Sequence, residues 1–194
     1  MFSVIEDLHI SLDEASFPYY VGGSVASTTY GDTRITNDID IVVDFAGRDP
    51  NEAVHALQPR FFVDDVAFPD VISAGEPYNV FHRVTGFKVD IFPMPDRPFS
   101  KEQMRRRKLV SILPDPNGPQ AYYVTAEDIV LQKLGWLTPS GGVSETQWRD
   151  ILGVLKWRKQ DIDLAYITIW AIRLGFKDRL LQALQDAGID PPAE

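Results

Sequence analysis

Two aspartates one residue apart, Asp38 and Asp40, stand in the apolar run Asp38-Ile39-Asp40-Ile41-Val42-Val43. In an extended strand alternate side chains share a face, so the two carboxylates point one way while Ile39, Ile41 and Val43 point the other way, into a core. Like charges this close repel, and a cation relieves them. Carboxylate oxygens suit a hard ion such as Mg²⁺ or Mn²⁺, which takes its remaining ligands from water and substrate phosphate. Upstream lies the segment Val21-Gly22-Gly23-Ser24, separated from Asp38 by thirteen residues. It reads as a turn between a short strand, 17–21, and a helix start, 24–30. Glycines at such a turn let phosphate approach the main chain, and the helix N-terminus adds N–H donors and a partial positive charge, with the Ser24 hydroxyl beside them. Each part alone has a bland reading, solvated acids at a strand end and a serine-capped turn. Together, at this spacing, they point to metal-dependent nucleotidyl transfer.

The pairing of Gly22-Gly23-Ser24 with Asp38-Ile39-Asp40-Ile41 resembles the signature of the DNA polymerase β-like nucleotidyltransferase superfamily. That resemblance implies a third acid on a later strand, and Phe87-Lys88-Val89-Asp90-Ile91-Phe92 supplies Asp90. Further along, Tyr78-Asn79-Val80-Phe81-His82, Glu127-Asp128 with Lys133, and Gln147-Trp148-Arg149-Asp150-Ile151 are similar to the bacterial nucleotidyltransferases related to abortive-infection toxins. In that group a lysine and an arginine-aspartate pair from C-terminal helices complete the site, which by position implies Lys133 and Asp150.

The resemblance implies an α+β fold with a mixed sheet, catalytic domain 1–124, and a C-terminal helical lobe 125–194. It also implies a mechanism. Asp38, Asp40 and Asp90 would bind the metal and serve catalysis; Gly22, Gly23, Ser24 and Lys133 would hold the nucleoside triphosphate, ATP among the candidates. Asp150 would support them. Arg34, in Thr33-Arg34-Ile35-Thr36-Asn37, leads directly into the acids and reads either as a triphosphate contact or as a loop arginine. The expected activity moves a nucleoside monophosphate onto a hydroxyl of RNA or protein, as a toxin-like enzyme with an antitoxin as partner. The alternatives are a small-molecule acceptor of aminoglycoside type, and a nucleotide-binding or interaction module that keeps the fold without turnover.

Composition narrows the setting. The chain has 194 residues, 44% of them apolar, enough for a core plus a helical extension. With no cysteine there is neither disulfide nor thiolate metal site, and His9, His55 and His82 lack zinc-ligand spacing. No apolar run approaches the roughly eighteen residues of a membrane span. The start Met1-Phe2-Ser3-Val4-Ile5-Glu6-Asp7 lacks the basic opening of a signal peptide, so a cytoplasmic protein is expected. A net charge of −9 argues against broad DNA binding, which depends on phosphate neutralisation by Lys and Arg. The basic run Arg105-Arg106-Arg107-Lys108 reads as a solvated helix face or as a phosphate or RNA contact.

The remaining elements follow from local signals. Asp49-Pro50-Asn51-Glu52 predicts a helix to about Leu57, and Ser100-Lys101-Glu102-Gln103 predicts the start of another. Strands are expected at 61–63, 78–84, 108–113 and 121–124, the last two joined by a hairpin loop at Pro114–Pro119. From Thr125 the pattern is helical, with starts at Thr125 and Ser144, a third helix after Asp161 stopping at Gly175, and a last one ending near Gly188. The loop 138–142 is expected to be mobile. Trp136, Trp148, Trp157 and Trp170, at helical spacing, are expected to pack rather than to stack on bases.

Overall fold

The computed structural model describes residues 1–111, 118–137 and 144–191. The expected hairpin loop lies mostly outside these residues, and so does the expected mobile loop 138–142. In chain order the elements are α1 (Phe2–Glu14), β1 (Tyr19–Val21), α2 (Gly23–Tyr30), β2 (Asp38–Val43), α3 (Pro50–Leu57), β3 (Phe61–Phe62), α4 (Ala67–Ser73), β4 (Tyr78–His82) and β5 (Lys88–Pro93). There follow α5 (Pro98–Arg106), β6 (Lys108–Ser111), β7 (Gln120–Tyr123), α6 (Ala126–Trp136), α7 (Glu145–Trp157), α8 (Leu164–Leu174) and α9 (Lys177–Ala187). The chain divides into two compact units, one of residues 1–23 and 36–124, the other of residues 24–35 and 125–194.

The first unit is built on a mixed sheet of order β3-β4-β5-β2-β1-β7-β6. Strand β2 runs antiparallel to β1 and parallel to β5, in the register Asp38 with Lys88 and Asp40 with Asp90. Alternation decides its faces. Ile39, Ile41 and Val43 of β2, Val80 of β4 and Val89 of β5 are fully buried, each worth roughly 1.5–3 kcal/mol of transfer from water. Helices α1, α3 and α4 pack in series, α1 also on β7 and α4 on β4. In α1 the buried positions Val4, Ile5, Leu8 and Leu12 follow one helical face. Asp7, at the flank of that face, accepts a hydrogen bond from the buried His82 (2.8 Å), whose second ring nitrogen meets Thr85.

Caps set several boundaries where the sequence placed them. Asp49 accepts from the Asn51 N–H at the start of α3, Thr125 from Asp128 at α6, and Ser144 from Gln147 at α7. Gly175 and Gly188 end α8 and α9 in left-handed conformation. Helix α5 differs. It starts at Pro98 with Arg97 as its cap, and Ser100 lies buried within the first turn, because proline is pre-set for the first helical position.

The second unit is helical. Helices α6 and α7 pack on each other, α8 on α6 and α9 on α7, around Ile129, Leu134, Ile151, Leu155, Ile167 and Leu184. The segment Ser24–Ile35, earlier in the chain, belongs here. Gly31 explains how it fits. A Cβ at that position would stand 2.7 Å from the Val154 nitrogen and 2.8 Å from the Gly153 carbonyl carbon, so only glycine lets it lie against the α7 backbone. Two of the four tryptophans depart from expectation, Trp136 at 53% and Trp157 at 70% exposed, while Trp148 and Trp170 are half-buried. The Trp157 indole instead donates to Asp32 (2.8 Å), its polar edge compensating for a ring left in solvent.

Among the described residues, no helix is long and apolar enough to cross a membrane.

Candidate functional site

Strand register brings the first unit's acids together. Asp38 and Asp40 alternate with buried isoleucines on β2, and Asp90 stands beside Asp40 on the parallel strand β5, so all three carboxylates share one sheet face. Asn79 of β4 adjoins Asp90 from the other side. The Asp38 side chain is 39% exposed and that of Asp90 13%. Asp38 accepts a hydrogen bond from the Thr36 hydroxyl at 3.0 Å. Asp90 Oδ1 is buried and has no hydrogen-bond partner. Such an atom carries a desolvation cost that a ligand would remove.

The turn fits against these acids. Gly22 donates its N–H to the Asp40 carbonyl (2.8 Å). Gly23 opens α2 at φ +55°, and a Cβ there would lie 1.8 Å from Asp40 Oδ2. The second glycine is thus required twice, by its left-handed backbone and by the carboxylate that fills the space a side chain would take.

Lys88 is the residue the sequence reading passed over. It lies two positions before Asp90 and so on the same face, with its ammonium 2.7 Å from Asp90 Oδ2 and 3.7 Å from Asp38 Oδ2. The hydrogen bond to Asp90, backed by the charges of Asp90, Asp38 and Asp40 and opposed only by partial desolvation, holds the Lys88 pKa above the usual lysine value. The parity of β5 was the signal that would have found it.

The second unit gathers the other candidates. Asp150 on α7 is almost fully buried, its side chain 4% exposed. Its Oδ1 accepts from Arg34 Nε (3.1 Å), and its Oδ2 from Arg34 Nη2 (3.2 Å), Lys133 Nζ (2.9 Å) and the Ser27 hydroxyl (3.3 Å). Lys133, 1% exposed, also donates to Gln147 Oε1 at 2.7 Å. Arg34 Nη2 donates to the Ser24 hydroxyl as well. Burial alone would push the Asp150 pKa up, but the hydrogen bonds and charges of Arg34 and Lys133 outweigh it, and the carboxyl sits below its usual value. Lys133 is therefore no exposed helix residue and Arg34 no idle loop arginine. Ser27 and Gln147, not among the expected site residues, join the network.

The donor set of the first unit fits a divalent cation in kind: three carboxylates on one face, with a buried oxygen lacking a partner. As they stand, no group of three or more His, Cys, Asp or Glu side chains among the described residues is arranged as a metal-ligand set. A separate cavity of about 740 Å³ lies in the same unit, lined by Asp44, Arg48, Asp96 and Lys101 among others, and includes none of the three acids.

No protein-family model matches the chain, and no curated protein does either. Solved structures do. An antigenic nucleotidyltransferase-like protein from Paracoccidioides brasiliensis matches with a TM-score of 0.58 at 21% identity, over 95% of this chain and 91% of that one. The antibiotic-resistance factor ANT(2'')-Ia matches in solution with a TM-score of 0.51 at 15% identity, over 96% of both chains. Its crystal structure with adenylyl-2''-tobramycin matches with a TM-score of 0.52 at 13% identity, over 92% of this chain and 98% of that one. The chain thus has the nucleotidyltransferase fold.

Proposed function

We propose that this protein is a nucleotidyltransferase, moving a nucleoside monophosphate from a nucleoside triphosphate to a hydroxyl acceptor with Mg²⁺ or Mn²⁺ as cofactor. The observation that carries the reading is the convergence of Asp38, Asp40 and Asp90 on one sheet face beside the Gly22-Gly23 turn. Asp38, Asp40 and Asp90 would hold the cation, which when bound neutralises triphosphate charge and acts as a Lewis acid at the reacting phosphorus. Asp90 takes the proton of the attacking hydroxyl. The acceptor oxygen then forms its bond to the α-phosphorus as the bond to the bridging oxygen breaks and pyrophosphate leaves. At the start of α2 the Gly22-Gly23 turn favours the anionic triphosphate. Ser24, Arg34 and Lys133 are the further candidates for triphosphate oxygens, with Asp150 fixing the orientation of the two cations.

A small cationic acceptor is the reading best supported. The fold matches ANT(2'')-Ia over nearly the whole of both chains, and that protein's crystal structure contains adenylyl-2''-tobramycin. A chain of net charge −9 with an acidic face attracts a polycation better than it attracts RNA. An RNA or protein acceptor, with an antitoxin as partner, is the reading that the sequence resemblance carries.

One assay tests all of this. The purified protein is incubated with each α-labelled nucleoside triphosphate and Mg²⁺ or Mn²⁺, against a panel of aminoglycosides and lincosamides, total RNA and cell lysate. Label moving to a small molecule with release of pyrophosphate supports the first reading, and label on RNA or protein supports the second. Absence of transfer with every acceptor and metal would leave a module that binds without turnover.

A further inference from the structure

The three acids share a face, yet among the described residues no metal-ligand set is arranged, and a lysine stands between them. Lys88 enters the face by strand parity, beside Asp38 by register, and its ammonium hydrogen-bonds Asp90 Oδ2 at 2.7 Å while standing 3.7 Å from Asp38 Oδ2. Asp90 therefore spends one oxygen on an internal cation while the other, Oδ1, is buried without a partner. In the register of β2 and β5, Lys88 shares this row with Asp38, Asp40 and Asp90. We infer that Lys88 is a resident counterion of the acidic face, and that a divalent cation must displace its ammonium from Asp90 before Asp38, Asp40 and Asp90 can all become ligands. This rests on the reading that the face binds metal.

The physical reasoning has two sides. Without metal, three carboxylates on neighbouring strands repel, and Lys88 offsets part of that repulsion at a cost only in the ordering of its own stem. With a divalent ion the same ammonium is a competitor, since a like charge of +1 next to the ion weakens its binding. The Lys88 side chain is 35% exposed, and its flexible four-carbon stem lets the ammonium swing away without moving the strand. Lys88 is thus a positioning residue that lowers metal affinity and keeps the metal-free face intact.

The test uses the full chain and the metals alone, with no nucleotide. Mn²⁺ and, separately, Mg²⁺ are titrated calorimetrically into the wild type, Lys88→Met and Lys88→Arg, while the ¹⁵N-labelled lysine ammonium signals are followed by NMR. The Lys88 signal is identified by its loss in Lys88→Met. Lys88→Met is expected to bind Mn²⁺ about tenfold more tightly than the wild type, and Lys88→Arg to stay within about threefold. The Lys88 ammonium signal should shift or vanish as Mg²⁺ saturates the wild type. Melting curves without metal should show Lys88→Met folded but less stable, with the deficit removed by Mn²⁺. Equal or weaker Mn²⁺ binding by Lys88→Met, or a Lys88 signal unmoved at saturation, would overturn the inference and leave the metal site standing. If neither wild type nor Lys88→Met binds either ion, the metal reading itself fails and the inference falls with it.

Discussion

The two charged clusters of this protein are built on opposite plans. On the sheet face of the first unit one ammonium, Lys88, is shared among carboxylates that are partly open to solvent. In the helical unit one buried carboxylate, Asp150, is shared by two cations, Arg34 and Lys133. The first arrangement leaves carboxylate oxygen partly open to solvent. The second holds Arg34 and Lys133 in place by hydrogen bonds to one buried carboxylate. Removing a carboxylate should therefore have opposite consequences in the two places: relief of repulsion in one, stranded buried charge in the other.

The sharpest way to break that contrast is to delete each acid and measure folding. Asp150→Ala should cost about 3–5 kcal/mol in urea unfolding, because Lys133 and Arg34 both lose the buried carboxylate they share. Asp38→Asn should be neutral or slightly stabilising in the absence of metal. Equal losses from the two would erase the distinction. The second measurement reverses the ranking. Asp40→Asn and Asp38→Asn should lower nucleotidyl transfer by about 10²–10³-fold, the scale on which losing one preorganised charge-stabilising group acts, with no fall in melting temperature. An Asp40→Asn variant of full activity would make the acidic face a bystander.

How far these clusters could be read from the chain alone depends on how local their signals are. The acids were legible because strand parity is a two-residue rule, and the caps at Asp49, Thr125 and Ser144 because they act within one turn. Lys88 obeys the same parity, but in a list of acids a lysine does not stand out. Helix α1 carried its signal in Val4, Ile5, Leu8 and Leu12, a spacing overlooked beside the question of a signal peptide. The pairing of Arg34 with Asp150 had no local signal at all, since the partners lie 116 positions apart and only the tertiary placement of Ser24–Ile35 unites them. The exposure of Trp157 was equally hidden, because helical spacing says which residues share a face and nothing of whether that face is covered.

The glycine turn offers an intermediate test. Gly23→Ala adds one methyl group where φ is +55° and where Asp40 Oδ2 already fills the space. It should cost about 1–3 kcal/mol of stability from backbone strain and displacement of the carboxylate. If Asp40 belongs to the metal site, Mn²⁺ affinity should fall too. Gly47→Ala, also at positive φ but with open space around its Cβ, is the control: it shares the strain and should leave metal binding unchanged. Loss of metal binding in both variants would mean that the effect is general loosening of the unit.

Acidity separates the clusters with the smallest effect, because protonation neutralises Asp150 without removing it. Its folded-state pKa lies below the usual carboxylate value of 3.8, so its contribution to stability is complete above that pH and is lost as the pH falls through the folded value. Lys88 runs the other way. Its folded-state pKa lies above the usual 10.5, so its contribution is complete below that pH and is lost as the pH rises through the raised value. Unfolding free energies of wild type and Asp150→Asn should therefore converge as the pH is lowered from 6 towards about 3, by less than the gap at neutral pH. Wild type and Lys88→Met should converge at the alkaline end as the ammonium loses its proton, and by less, since Lys88 is partly solvated and screened. No alkaline convergence for the lysine pair, or no acid convergence for the Asp150 pair, would show that the two clusters do not differ in the way their contacts describe.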